Sequence, residues 1–247
     1  MSDNPIERIY EESWQIHLNR GKGHVTETNQ FGEAIAGLVG TRQNVLDIGC
    51  GTGKCVIPVA GKGNRVIGVD VSEHALQVLR QLGFQAMKMD IEHEVTQALN
   101  EFAPFDVILM TDVLEHLIDP LQVLHEKVAP LLRPAGRCIA TVPNFVYITY
   151  RVEFVLGRIS HFNNYGDITG HAIPRPYNLG HKTLFNQWNL VQTFTRAGFS
   201  SVTVVPELFS DSLTSFWRIR GLRQLRDGLK KVWPTLLAAR FLVIAEK

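Results

Sequence analysis

A chain of 247 residues has room for one large domain with insertions, and two full domains would be cramped. With 45% hydrophobic and 20% charged residues it can bury a sizeable core, which excludes wholesale disorder. A net charge of +1 excludes a global attraction to nucleic acid or anionic membrane, leaving only local basic patches for such work.

The first stretch, Ile6 to Leu38, carries helix-like apolar spacing broken by the turn Gly21-Lys22-Gly23 and predicts one or two helices. Tyr10, Trp14 and His17 repeat there at nearly helical spacing, as on a packed face. The opening MSDNPIERIYEESW lacks a basic region followed by an apolar one, so no secretory signal is expected. No run of about 18 apolar residues occurs, and a cytoplasmic location is expected. Cys50, Cys55 and Cys138 have no metal-binding spacing and read as reduced, packed thiols.

Short β-branched runs then alternate with helical stretches. Strands are predicted at Asn44 to Ile48, Arg65 to Val69, Phe84 to Met89, Phe105 to Met110 and Gly136 to Val142, which implies βαβ units and a doubly wound α/β sheet. From Pro143 to Lys182 regularity breaks down in a segment rich in Asn, Gly, Pro, Tyr and His, the composition of a lid over a pocket or of a link. Its His161, Tyr165, His171 and Tyr177 are candidates for contact with a substrate or for anchoring the loop. A helix is predicted over Phe185 to Ala197, stopped by Gly198, and the last strands at Ser201 to Val205 and Arg240 to Ala245. Between those strands, Phe216 to Trp233 mixes basic and bulky apolar residues. That is the pattern of a solvated basic helix or of one lying on an anionic membrane, and Pro234 is expected to end it. The chain divides into a helical cap (1–42), a ligand-binding core (43–144), a lid-like insertion (145–187) and a C-terminal part (188–247).

The sharpest motif is Val45-Leu46-Asp47-Ile48-Gly49-Cys50-Gly51-Thr52-Gly53, a buried strand running into alternate glycines that let a ligand lie on bare backbone. The spacing G-x-G-x-G departs from the dinucleotide fingerprint G-x-G-x-x-G, which disfavours a nicotinamide oxidoreductase. Asp47 would repel a pyrophosphate but suits a ligand bearing an ammonium group. Asp70 ends the second strand, where a carboxylate can accept ribose hydroxyls, while Ser72 serves as helix cap. Asp90 and Ile91 end the third strand and offer a carboxylate to an exocyclic amine and a flat apolar face to a ring.

These residues and the strand Phe105-Asp106-Val107-Ile108 resemble the motifs of class I S-adenosylmethionine-dependent methyltransferases over roughly residues 43–144. Asp112-Val113-Leu114-Glu115-His116-Leu117, Leu131-Leu132-Arg133-Pro134-Ala135-Gly136 and Val142-Pro143-Asn144 are similar to the branch holding ubiquinone-pathway O-methyltransferases and MetW-like proteins. The resemblance implies a seven-stranded, mostly parallel Rossmann-like sheet with helices on both faces and its last strand antiparallel. It implies that Asp47, Gly49, Cys50, Gly51 and Gly53 hold the methionine part of S-adenosylmethionine. Asp70 with Val71 would take the ribose and Asp90 with Ile91 the adenine, and Thr111 would also line the site. S-adenosylhomocysteine is then the product, and the acceptor a small metabolite or a lipid- or glycan-linked molecule.

Asp112, Glu115 and His116 stand at i, i+3 and i+4, one face of a helix beyond the fourth strand. They read either as a helix start with local pairing or as ligands for a divalent metal. His181, in Gly180-His181-Lys182, resembles the downstream histidine that completes the E-x-x-E-H metal set of small-RNA 2′-O-methyltransferases, although Asp112 replaces the first Glu. Asp112, His116, His171 and His181 are therefore the candidate acceptor-side or catalytic residues. Two alternatives stay open: a non-catalytic S-adenosylmethionine-binding module and a metal-dependent RNA 2′-O-methyltransferase.

Overall fold

A computed structural model of the chain describes residues 30–157, 181–208, 228 and 230–247. Tyr10, Trp14, His17, His161, Tyr165, His171, Tyr177 and most of 216–233 lie outside the described residues.

The central strands are apolar on both faces, as strands covered by helices on both sides must be. They are β1 (Asn44–Ile48), β2 (Arg65–Asp70), β3 (Gln85–Lys88), β4 (Phe105–Thr111) and β5 (Leu132–Pro143), followed by β6 (Ser201–Pro206) and β7 (Arg240–Glu246). They form one seven-stranded sheet in the order β3-β2-β1-β4-β5-β7-β6. β1 to β5 pair in parallel, whereas β7 is antiparallel to β5 and β6, as the resemblance implies.

Side-chain alternation divides the core into two layers. Leu46, Ile48, Ile108, Met110, Cys138 and Ala140 face one side with Phe185, Phe194 and Phe199. Val45, Val107, Leu109 and Ile139 face the other with Phe31, Ile35 and Val56.

The helices start and stop where local chemistry dictates. Helix α1 (Gln30–Val39) buries Phe31, Ile35, Ala36 and Val39, a stripe at helical spacing. α2 (Val56–Gly61) follows the glycine loop. α3 (Glu73–Gln81) is capped by Ser72, whose side chain accepts from the Ala75 amide. Between β4 and β5 runs a helical stretch made of α4 (Pro120–Gln122), a π segment (Val123–Val128) and α5 (Ala129–Leu131). α6 (Ile148–Val155) follows β5 and buries none of its residues. α7 (Gln187–Arg196) opens with a capping box between Asn186 and Asn189, and Gly198 follows its end at φ 99°.

One expectation is corrected. The stretch after Pro143 is not irregular throughout, because it contains α6. The helical residues 230–232 stop at the Trp233 bend just before Pro234, as expected, and Pro234 then opens the short α8 (Pro234–Leu237), where its missing amide costs nothing. The cysteines are free and buried as expected.

Strand order reverses between β1 and β4, and at such a switch point loops leave the carboxyl ends of the strands in opposite directions and open a crevice.

Candidate active site

The loop leaving β1 is tied to β2. Amides of Gly49 and Cys50 donate to the Val69 carbonyl at 2.8 and 3.1 Å, and the Gly51 amide donates to Asp70 Oδ2 at 2.9 Å. Asp70 Oδ1 accepts from the Ser72 amide at 2.9 Å, so this carboxylate organises both the loop and the start of α3. Gly49 has φ 71°, and a Cβ there would stand 2.4 Å from Val113 Cγ2. Only glycine fits both the conformation and the space.

The crevice is a cavity of about 300 Å3. Asp47, Gly49, Cys50, Gly51, Asp70, Val71, Asp90, Ile91 and Thr111 all line it, so the structure brings nine of the ten expected cofactor residues to one place. Gly53 is the tenth. It does not line the cavity; at φ 98°, a Cβ on it would stand 2.5 Å from Leu79 Cδ2, so it packs the loop closely against α3.

Asp47 is 1% exposed, and its Oδ1 has no hydrogen-bond partner. Burial, and secondarily the charge of Asp70, pushes its carboxyl up to about 8. A buried carboxylate without a partner is costly unless a cationic group completes it. Asp90 closes its own turn. Its Oδ1 accepts from the amides of Glu92 and His93 at 3.0 and 3.3 Å, and its Oδ2 lies 2.9 Å from His93 Nδ1.

The acceptor end departs from expectation. Asp112 neither starts a helix nor shares a face with Glu115 and His116. It has φ 60°, a left-handed conformation, and its amide donates to the Thr141 carbonyl at 3.0 Å. Its carboxylate accepts from Thr141 Oγ1 at 3.0 Å and from the Arg240 guanidinium. Arg240 also donates to Thr141 Oγ1 at 3.2 Å and lies 3.5 Å from the buried Glu207 carboxylate, and burial pulls its guanidinium down to about 10. Arg240 thus draws Asp112 away from any metal set.

Beyond Asp112 the chain makes a short 3-10 turn, Leu114–His116, that tucks Glu115 inward to 3% exposure. Burial raises Glu115 to about 8, opposed by a hydrogen bond from its own backbone, and its Oε2 has no partner. Amides of Lys182 and Thr183 donate to the Glu115 carbonyl at 2.7 and 3.1 Å, while Thr183 Oγ1 donates to the Leu117 carbonyl at 2.8 Å. These bonds set His181 against His116, with ring centroids 5.0 Å apart. One ligand atom each from Glu115, His116 and His181 lies within 4.8 Å of the others. Burial lowers the His181 pKa. Of the four candidate acceptor residues, Asp112 and His116 line the cavity, His181 abuts His116, and His171 lies outside the described residues.

The sequence reading missed Lys54, Cys55, Glu92, His93 and Lys182, which also line the cavity. Each is one or two residues from a candidate site residue. Only the reach of their side chains was hidden.

Comparisons with known proteins agree with this geometry. Residues 46–138 match the family model described as a methyltransferase domain. The ubiquinone biosynthesis O-methyltransferase of Aromatoleum aromaticum is 34% identical over 129 residues, 49% of this chain and 54% of that protein. That of Ruegeria pomeroyi is 39% identical over 102 residues, 40% and 41% of the two chains. The chain spans about half the length of the curated relatives it matches. Among solved structures, an S-adenosylmethionine-dependent methyltransferase of Thermotoga maritima superposes with a TM-score of 0.60 at 17% identity, covering 98% of this chain and 97% of that one. Magnesium protoporphyrin IX methyltransferase of Synechocystis with bound S-adenosylhomocysteine gives 0.60 at 14% identity, covering 98% of each chain.

The sheet order, the glycine loop tied to Asp70, the acids at successive strand tips and the match over residues 46–138 make this chain similar, in fold and in its core sequence, to the class I S-adenosylmethionine-dependent methyltransferases. Within that class, its core is similar in sequence to ubiquinone biosynthesis O-methyltransferases.

The residues fit the cofactor. Asp47 offers the buried, unsatisfied oxygen that an amino acid's ammonium completes. Each Asp70 oxygen accepts one backbone amide, which fixes at the end of β2 a carboxylate of the kind that accepts ribose hydroxyls. Ile91 offers an apolar wall of the same cavity.

Proposed function

We propose that this chain transfers the methyl group of S-adenosylmethionine to an oxygen of a small or lipid- or glycan-linked acceptor. The observation that carries this reading is the unpartnered, buried Oδ1 of Asp47, in one cavity with Asp70, Asp90 and Ile91 at successive strand ends. Oxygen is favoured over nitrogen or carbon by the similarity to ubiquinone biosynthesis O-methyltransferases.

The bound cofactor supplies a methyl group on a sulfonium whose sulfur departs neutral, so alignment and a dry cavity are most of what the protein must add. Asp47 and the glycine loop fix the amino-acid end, Asp70 the sugar, and Asp90 with Ile91 the base. Asp112, held by Arg240 and Thr141, forms a fixed polar wall where the acceptor enters. Burial lowers the His181 pKa and so favours the neutral imidazole, the form that can accept a hydroxyl proton, and His181 packs against the cavity-lining His116.

A second reading of the acceptor end rests on the orphaned Glu115 Oε2. Glu115, His116 and His181 would hold a divalent cation, whose charge would acidify a hydroxyl bound to it. The RNA 2′-O-methyltransferase alternative is disfavoured because Asp112, its expected fourth ligand, is engaged by Arg240. The non-catalytic module is disfavoured because the cofactor end and a polar acceptor end share one cavity.

The test is production of S-adenosylhomocysteine from S-adenosylmethionine with pools of phenolic and hydroxy-acid acceptors, with and without Mn2+ or Mg2+. Turnover on a hydroxyl acceptor that is lost in Asp47→Ala supports the proposal; tight cofactor binding without turnover on any pool favours a binding module. Loss of Mn2+ binding in Glu115→Gln separates the metal reading from the histidine-base reading. Peripheral membrane contact through residues 216–233 is part of the proposal for a lipid-linked acceptor. Val232 and Trp233 of that stretch are 82% and 58% exposed, and flotation with anionic vesicles tests it. Among the described residues no helix is long and apolar enough to cross a membrane.

A further inference from the structure

The turn that ends at Glu94 forms the base-binding edge of the cavity, and its hydrogen bonds are one-sided. Amides of Glu92, His93 and Glu94 point inward to Asp90: to its Oδ1 at 3.0 and 3.3 Å and, for Glu94, to its carbonyl at 2.8 Å. With the amides inward, carbonyls of the same turn point outward and need donors. Lys127 supplies them. Its ammonium donates to the carbonyls of Ile91, Glu92 and Glu94 at 2.8, 2.7 and 2.8 Å, so all three donors of one side chain are spent on one turn.

Lys127 reaches this turn from the π segment Val123–Val128. A π turn adds a residue to the helical register, offsetting the faces of the helix on its two sides by about 100°. Val123, Leu124 and Val128 stay buried in the core while Lys127 points across to the turn. Such insertions recur at functional sites, and here the insertion serves the cavity without lining it.

We propose that Lys127 is a positioning residue for the adenine edge of the cofactor site: by gathering the outward carbonyls it holds Ile91 and Asp90 where the base must lie. This rests on reading the cavity as the cofactor site. Lys127 does not line the cavity and donates to the carbonyls of residues 91, 92 and 94, so its effect should pass through that turn to the base, whereas Asp47 and Asp70 stand on β1 and β2.

The experiment is a calorimetric titration of wild type and Lys127→Met with two ligands, S-adenosylhomocysteine and S-ribosylhomocysteine, the second lacking only the adenine. The proposal expects Lys127→Met to weaken S-adenosylhomocysteine by about tenfold, the loss of a few charge-assisted bonds shared between order and affinity. Affinity for S-ribosylhomocysteine should stay within about twofold of wild type. Equal weakening of both ligands marks a general structural role and overturns the proposal, as does unchanged S-adenosylhomocysteine affinity. Lys127→Gln, which keeps a donor on a shorter stem, should lose adenine discrimination in the same sense and carries the test if Lys127→Met does not fold. Failure of wild type to bind S-adenosylhomocysteine at all refutes the cofactor reading rather than the role of Lys127.

Discussion

Asp47 makes the affinity for S-adenosylhomocysteine depend on pH in a way that can be worked out in advance. Burial and Asp70 hold its carboxyl at about 8 in the ligand-free protein, whereas pairing with the ligand's ammonium requires the ionised form. At pH 6 about 1% of Asp47 is ionised and at pH 7 about 9%, so apparent affinity should rise nearly tenfold across that unit, or about 1.4 kcal/mol. The ligand amine stays cationic over most of this range. Asp47→Asn should bind weakly and show no such slope. Stability moves the other way. The folded-state pKa lies above the unfolded value of 3.8, so between that value and about 8 the folded state holds a proton that the unfolded chain has lost. Stability of the ligand-free protein therefore falls as pH rises through this window, and Asp47→Asn, free of the penalty, should gain on wild type by up to about 1.4 kcal/mol per pH unit. Calorimetric titration at pH 6 and 7, with urea melts of both proteins at pH 5 and 7.5, reads both effects. A wild-type dissociation constant that is flat from pH 6 to 7 would refute the assignment of Asp47 to the ammonium.

Gly53→Ala should lower the melting temperature by several degrees through strain against Leu79, yet leave S-adenosylhomocysteine affinity nearly intact in the cold; Gly49→Ala, whose Cβ meets the cavity-lining Val113, should lose both. Arg240→Met removes the guanidinium from Asp112 and from the buried Glu207 and should cost about 3 kcal/mol in urea denaturation, with Arg240→Lys recovering little because the ammonium lacks the planar fork whose separate nitrogens face Asp112 and Glu207. Cys50, Cys55 and Cys138 are buried, with Cys55 and Cys138 pushed up to about 12, so a thiol reagent should react with them only after denaturation; rapid labelling of the native protein would contradict the packing described.

The parallel core was readable because β1 and β4 announce themselves as short apolar, β-branched runs between turns, and they start at Asn44 and Phe105 as expected. Three acids at the ends of three such strands then have to meet at one edge of the sheet, so Asp47, Asp70 and Asp90 were legible without coordinates. The acceptor end was not. The spacing of Asp112, Glu115 and His116 presumes a helix, whereas Asp112 adopts φ 60° to reach Arg240, 128 residues away, and a partner at that separation leaves no local trace. Gly53 looks in sequence like its two neighbouring glycines, and only the position of Leu79 across the loop shows that it also packs against α3. Helix α6 escaped because it buries no residue and so shows no stripe. Lys127 fell in an ordinary charged helix face, and the π turn that aims it has no signature in the residues themselves.

The most direct test of the central claim is calorimetric titration of the purified protein with S-adenosylhomocysteine beside NAD, repeated on Asp70→Ala. Binding of S-adenosylhomocysteine in the micromolar range, weakened in the variant, with no heat from NAD, is the predicted result. Binding of NAD in its place, or equal binding of S-adenosylhomocysteine by wild type and Asp70→Ala, would contradict it.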